Sequence, residues 1–255
     1  MKGICALCND SGILEKSHII PNAVFKKIKR TSNGQGIALV DDEHTSVQYS
    51  QDSWWEYLLC KKCEGQISMY EKYFFESIRG NNGIKKNQHS LGVTYTGIRY
   101  PKFKLFLISL LWRAAVAKHV AFSKVILVDQ WLEELRDSIN NEKPLGKSKF
   151  GCRLYKLADS TAGGFDVKSL EQLVVAPIPR IKKRVISFMF IIDGIVIEYY
   201  CPSIPYSDFK KPGVFKNKNV FLMPFQEICK IPEIMNLMVV NYGKNKKGMV
   251  KLKNR

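Results

Sequence analysis

Cys5-Ala6-Leu7-Cys8 and Cys60-Lys61-Lys62-Cys63 are two Cys-x-x-Cys pairs, and Ser17-His18-Ile19-Ile20-Pro21 lies between them. Each pair sets two thiols on one tight turn, where as thiolates they can share a metal ion. Two such pairs complete a tetrahedral, all-thiolate zinc site. Cys5, Cys8, Cys60 and Cys63 are therefore read as metal ligands. The 51 residues between Cys8 and Cys60 exceed the usual finger spacing, so the site closes a large loop with His18 inside it. The competing reading is four unrelated thiols that happen to fall in pairs.

Working outward, Gly12 to Ile20 reads as a strand. Pro21-Asn22 then opens a basic helix through Arg30, a first turn where the missing proline N–H costs nothing. Ile37 to Val40 and Ser46 to Tyr49 can pair across Asp41-Asp42-Glu43-His44. The second Cys pair opens a helix from about Lys61 to Ile78, whose Ile67, Tyr70, Phe74 and Ile78 recur at steps of three and four. Gly80-Asn81-Asn82-Gly83 breaks that period and marks a boundary, with one unit over 1–80 and another over 84–255. In the second unit, Pro101 to Phe122 reads as a core helix, apolar nearly all round, with His119 in it. Val128 to Ile139 reads as an amphipathic helix. From Cys152 onward strands dominate. Arg184 to Asp193 and Ile195 to Tyr200 meet at Asp193-Gly194, a hairpin signal. Val220 to Met223 is a further strand, and Phe225 to Met238 reads as a helix.

Hydrophobic residues make up 45% of the 255, enough for a globular core. The longest uncharged run of the most apolar segment, Leu105 to Trp112, is 8 residues. That is far short of the roughly 20 a membrane helix needs, so no membrane is expected. No apolar leader precedes the first Cys pair. The remaining cysteines, Cys152, Cys201 and Cys229, are widely spaced and form no disulfide framework, which suits a reducing cytoplasm. The formal net charge is +17, from 40 Lys and Arg against 23 Asp and Glu. A surplus this large favours a polyanion partner, nucleic acid first. Lys26, Lys27, Lys29 and Arg30 follow the His18 motif directly. Arg180, Lys182, Lys183 and Arg184 form a second run, Lys210, Lys211, Lys216 and Lys218 a third, and the tail from Gly243 a fourth. Together they read as a phosphate-tracking surface.

The first 80 residues resemble the His-Asn-His (HNH) nuclease family in its zinc-stabilised, treble-clef form. There a first Cys-x-x-Cys precedes Asp-His-Ile-x-Pro, and a second opens the helix. The resemblance covers about a third of the chain. It implies an N-terminal treble-clef ββα-metal zinc domain; with the mixed helical and antiparallel β domain read from the patterns over 84–255, the expected fold class is α+β. It also implies an endonuclease hydrolysing phosphodiester bonds in nucleic acid, DNA first. His18 matches the general base, because imidazole titrates near neutrality. Glu64 matches a ligand of the catalytic Mg²⁺ or Mn²⁺, which prefer oxygen. Two departures stand out. Ser17 occupies the place of the family's Asp, and Trp54-Trp55-Glu56 the place of a structural Asn. Glu56, Glu71 or Asp52 must then supply the missing ligand. Glu64, Ser68 and Glu71 share a helix face, so Glu71 joins His18 and Glu64 as a catalytic candidate. The later region is similar in arrangement to bacterial proteins encoded near phage-defence genes. The effector of such a system is an expected setting for the endonuclease, with residues 84–255 binding substrate, a protein partner or a second copy. The alternative is a non-catalytic zinc module that binds nucleic acid or a partner protein.

Overall fold

The computed structural model describes residues 1–31, 36–38, 47–50, 53–182, 185–246 and 250–251. His44, Asp52, Lys183 and Arg184 lie outside the described residues. The architecture is mixed α+β. Strands β1 (Lys2–Ile4) and β2 (Ser11–His18) flank the first Cys pair as an antiparallel hairpin, and helix α1 (Asn22–Thr31) follows Pro21. Strands β3 (Gly36–Ala38) and β4 (Val47–Ser50) pair antiparallel. Strand β5 (Trp55–Cys60) returns beside β2 and runs straight into helix α2 (Lys61–Arg79). Gly80 ends α2 in the left-handed conformation at φ 82°, and its N–H reaches the Ser77 carbonyl at 3.0 Å. That is the helix stop for which glycine is suited.

Beyond it come β6 (Lys85–His89), β7 (Gly92–Thr96), α3 (Tyr100–Val116), α4 (Asp129–Asn140) and β8 (Cys152–Ala158). The short α5 (Val167–Glu171) precedes β9 (Val175–Lys182), β10 (Val185–Ile192) and β11 (Ile195–Cys201). A one-turn α6 (Tyr206–Phe209), β12 (Val220–Glu227), α7 (Pro232–Lys246) and β13 (Val250–Lys251) complete the order. The strands form a seven-stranded sheet, β6-β7-β12-β8-β11-β10-β9, and two three-stranded ones, β1-β2-β5 and β13-β4-β3. Asp193 and Gly194 take φ of 50° and 70°, so β10 and β11 join through the left-handed two-residue turn that Asp-Gly favours.

Three expectations need correction. The seven-stranded sheet is mixed, because β8 and β12 run parallel; the long connection through β9, β10 and β11 allows it. The helix expected from Phe225 is still strand there. Phe225, Gln226 and Glu227 pair with Lys156, Leu157 and Ala158, and the helix starts only at Pro232. The apolar helix ends at Val116 rather than Phe122. His119 lies past it and caps a 3₁₀ turn over Val120–Phe122 by accepting the Ala121 N–H at 3.1 Å.

Helix α3 is the hub. Residues on every side of it are buried, from Phe103 and Lys104 through Ala114. The Phe74 ring of α2 stacks on Phe106 at 4.0 Å, and Phe215 meets Phe103 at 4.5 Å. One core cluster runs from Cys5 through α3 to Met223. The metal-type end of the molecule and the large sheet thus share a single hydrophobic interior.

Candidate functional site

The Cys5–Cys8 knuckle is a tight turn. Asn9 takes φ 63°, its N–H bonds the Cys5 carbonyl at 2.9 Å, and Ala6 N–H bonds the Leu58 carbonyl of β5 at 3.0 Å. That last bond sets the knuckle against the end of β5, where Cys60 caps α2 and Cys63 sits in its first turn. The four Sγ atoms all lie within 4.8 Å of one another, with Cys8 and Cys60 at 3.9 Å. Zinc–sulfur bonds of about 2.3 Å in a tetrahedron require sulfurs about 3.8 Å apart. The four cysteines therefore fit a metal such as zinc.

Their electrostatics point the same way. Burial pushes the Cys8 thiol up to about 11, and burial with the neighbouring thiols raises Cys63. Cys5 is also pushed up by burial, but backbone N–H groups around it, including Cys60 N–H at 3.3 Å, outweigh that and bring it down to about 7. Four sulfurs this close resist ionising together unless a cation offsets their charge.

His18 ends β2 opposite Trp55, at the other end of the β2–β5 ladder from Cys60, half-buried, with Nε2 3.3 Å from Ser53 Oγ. Burial lowers its pKa first, and the charges of Arg113, Lys29 and Lys26 lower it further. The imidazole is thus neutral to lower pH than its ordinary 6.5. The unfolded chain takes up the proton that folded His18 resists, so this residue's contribution to stability is lost as pH falls below that value. Melting temperatures followed from neutral to mildly acidic pH should fall less steeply in His18→Gln than in the wild type. Identical slopes would dismiss the effect.

Ser17 is fully buried. Its hydroxyl accepts the Leu59 N–H at 3.2 Å and lies close enough to Glu64 to act on that carboxyl. Burial raises the Glu64 pKa, with Glu71 and Glu15 adding to it and Ser17 and Arg113 opposing. Glu64 Oε2 is buried without a hydrogen-bond partner.

Glu71 is held at 2.6 Å by the guanidinium of Arg113, which reaches over from α3 and also donates to the His18 carbonyl at 2.6 Å. The Glu71–Arg113 contact is an ion pair rather than an aligned hydrogen bond, since Glu71 Oε1 and Arg113 Nη2 lack hydrogen-bonding geometry. Glu56, the other candidate ligand, accepts the His119 backbone N–H. Ser68 is exposed. Among the described residues, the four cysteines are the only group of three or more Cys, His, Asp or Glu whose donor atoms converge.

Arg113 is the residue that sequence reasoning left without a role. Its signal was there, as a cation in the last turn of an apolar helix, where burial demands a partner. The basic runs divide. Lys26 and Arg30 are exposed, and Lys26 and Lys29 lie close enough to act on His18. Lys27 is instead turned to Glu171 at 2.6 Å and Asp193 at 2.7 Å, fastening α1 to the β10–β11 turn. Arg180 makes a bidentate pair with Glu233, both distances 2.6 Å. Lys27 and Arg180, read as phosphate contacts, have their charge answered within the protein, because carboxylates from other elements fold against them. No helix among the described residues is long and apolar enough to cross a membrane. No protein-family model matches the chain, and no curated protein or solved structure matches it.

Proposed function

We propose that the protein is a metal-dependent endonuclease of HNH type that hydrolyses phosphodiester bonds in nucleic acid, with DNA as the first substrate. One observation carries this reading. Ser17, at the position where the resemblance puts a metal-binding Asp, lies close enough to Glu64, directly after the second Cys pair, to lower its pKa. Two positions 47 apart in the chain are thus brought near each other, and this proximity is what supports the reading. In this reading the knuckle, hairpin and helix around the four sulfurs are a treble clef, with a structural zinc joining their ends.

In this reading His18, neutral and half-buried, takes the proton from the attacking water. Glu64 supplies an oxygen ligand for Mg²⁺ or Mn²⁺, an ion whose chemistry is to stabilise charge on the phosphate and leaving oxygen. Lys26 and Lys29 hold phosphate near the imidazole. Glu71, being paired, steadies Arg113 and through it the end of β2. The effector of an anti-phage system is one setting for such an enzyme.

A second reading, a non-catalytic zinc module that binds nucleic acid or a protein partner, is favoured by the engagement of Ser17 with Leu59 and of Glu71 with Arg113. Supercoiled plasmid incubated with Mg²⁺ or Mn²⁺ decides between them. Nicking by the wild type should fall by about 10²- to 10⁴-fold in His18→Ala, the usual worth of a general base. Salt-sensitive binding without nicking, unchanged in the variant, would favour the module.

A further inference from the structure

We infer that a basic face built from the start of α3, the loop before β8 and the turn before β12 binds single-stranded nucleic acid, an inference that rests on the nucleic-acid reading above. A cavity of about 450 Å³ opens there, lined by Arg99 and Lys102 on one side and by Asn217, Lys218 and Asn219 on the other. Its lining holds cations and amides but no carboxylate. Lys216 extends the charge outward from Lys218. Its Nζ lies 4.7 Å from the centre of the Phe209 ring, and Lys147 Nζ lies 5.7 Å from the same ring. Two ammonium groups on one aromatic ring concentrate positive potential. Burial and then the charges of Lys218 and Lys147 depress Lys216, which marks the crowding.

Among the described residues, none of these basic side chains is ion-paired. The nearby acids Asp208 and Glu134 are taken by Lys211 and Lys149. The face therefore carries a standing demand for anions. The positive end of the α3 dipole adds to it.

The aromatic component selects the form of nucleic acid. Tyr206 is 77% exposed, with Lys210 Nζ 5.1 Å from its ring centre. A flat, exposed ring among lysines offers a stacking platform to a base that is not already stacked in a duplex, while the lysines track phosphates.

Fluorescence anisotropy with a labelled single strand and with its duplex, without Mg²⁺ or Mn²⁺, tests this. The Lys147→Ala, Lys216→Ala, Lys218→Ala triple variant should bind the single strand about tenfold or more weaker. Its log–log salt slope should be smaller by roughly 2, because each single-strand phosphate that a lysine neutralises contributes about 0.7 to that slope. Tyr206→Ala should weaken the single strand by about fivefold or more and leave the duplex unchanged. Wild-type affinity and slope in the triple variant would overturn the inference. So would an equal effect of Tyr206→Ala on both forms, or anionic vesicles captured through these lysines while oligonucleotides are not. Strand binding through this face without plasmid nicking would keep the inference and reject the nuclease.

Discussion

Serine at Cys60 is expected to strip the protein of its metal and to unfold the region that the four cysteines hold together. Cys60 is at once the end of β5, the cap of α2 and one of four sulfurs within 4.8 Å of one another. A serine hydroxyl stays protonated at neutral pH and is a poor, hard substitute for a thiolate on zinc. Structural zinc contributes apparent folding energies of about 10–16 kcal/mol in small zinc modules. That matches or exceeds the whole stability of a typical domain, about 5–15 kcal/mol. The loss should spread, because Cys5 and Cys63 belong to the same core cluster as α3 and the sheet. Metal analysis should find about one zinc per wild-type chain and a small fraction of that in Cys60→Ser, with loss of the cooperative melt by circular dichroism. Cys229→Ser, at an exposed thiol outside the cluster, should match the wild type on both counts. A Cys60→Ser protein that keeps stoichiometric zinc, or a wild type that melts identically with and without chelator, would sink the metal centre.

Arg113→Ala should cost about 3–5 kcal/mol, the usual result of removing one member of a buried ion pair. The guanidinium is fully buried, and its removal leaves the buried Oε1 of Glu71 without its countercharge and the part-buried His18 carbonyl without its donor. At 2–4 °C per kcal/mol for a chain of this size, the melting temperature should drop by roughly 6–20 °C. Glu71→Gln should cost less, because a neutral amide tolerates burial beside the cation better than a carboxylate tolerates losing it. In the double variant the two effects should not add, since residues in direct contact share the energy. A variant melting within about 2 °C of the wild type, or strict additivity, would mean that Arg113 is not the tie between α3 and the end of β2.

Much of the site was legible because it is written in local chemistry. Cys-x-x-Cys needs only a turn, and the expectation that its two copies meet follows from what thiolates do with metal. The basic α1, the α2 stripe and the Asp193-Gly194 hairpin were equally local, each a period or a turn preference confined to a few residues. Strands β6 and β7 were not legible. Lys85 to His89 is exposed along its whole length, so no alternation marks it, and backbone pairing with β7 alone makes it a strand. The run Phe225 to Glu227 fails for the opposite reason. Its composition suits a helix, but β8 offers an unfilled edge, and pairing there satisfies the backbone better.

The sequence by itself determined the four-sulfur cluster, the α+β class, the core helix and the excess of positive charge, because thiol chemistry, side-chain periodicity and composition do not depend on what lies across the molecule. Only the tertiary structure decided which charges are free and which are spent. Lys27 and Arg180 meet carboxylates 144 and 53 residues away, while Lys147, Lys216 and Lys218 are left crowded together facing solvent. Charge is a property of a residue, but its availability to a partner is a property of what the fold brings beside it. Coulomb attraction at hydrogen-bond distance outweighs any preference that a run of lysines shows along the chain.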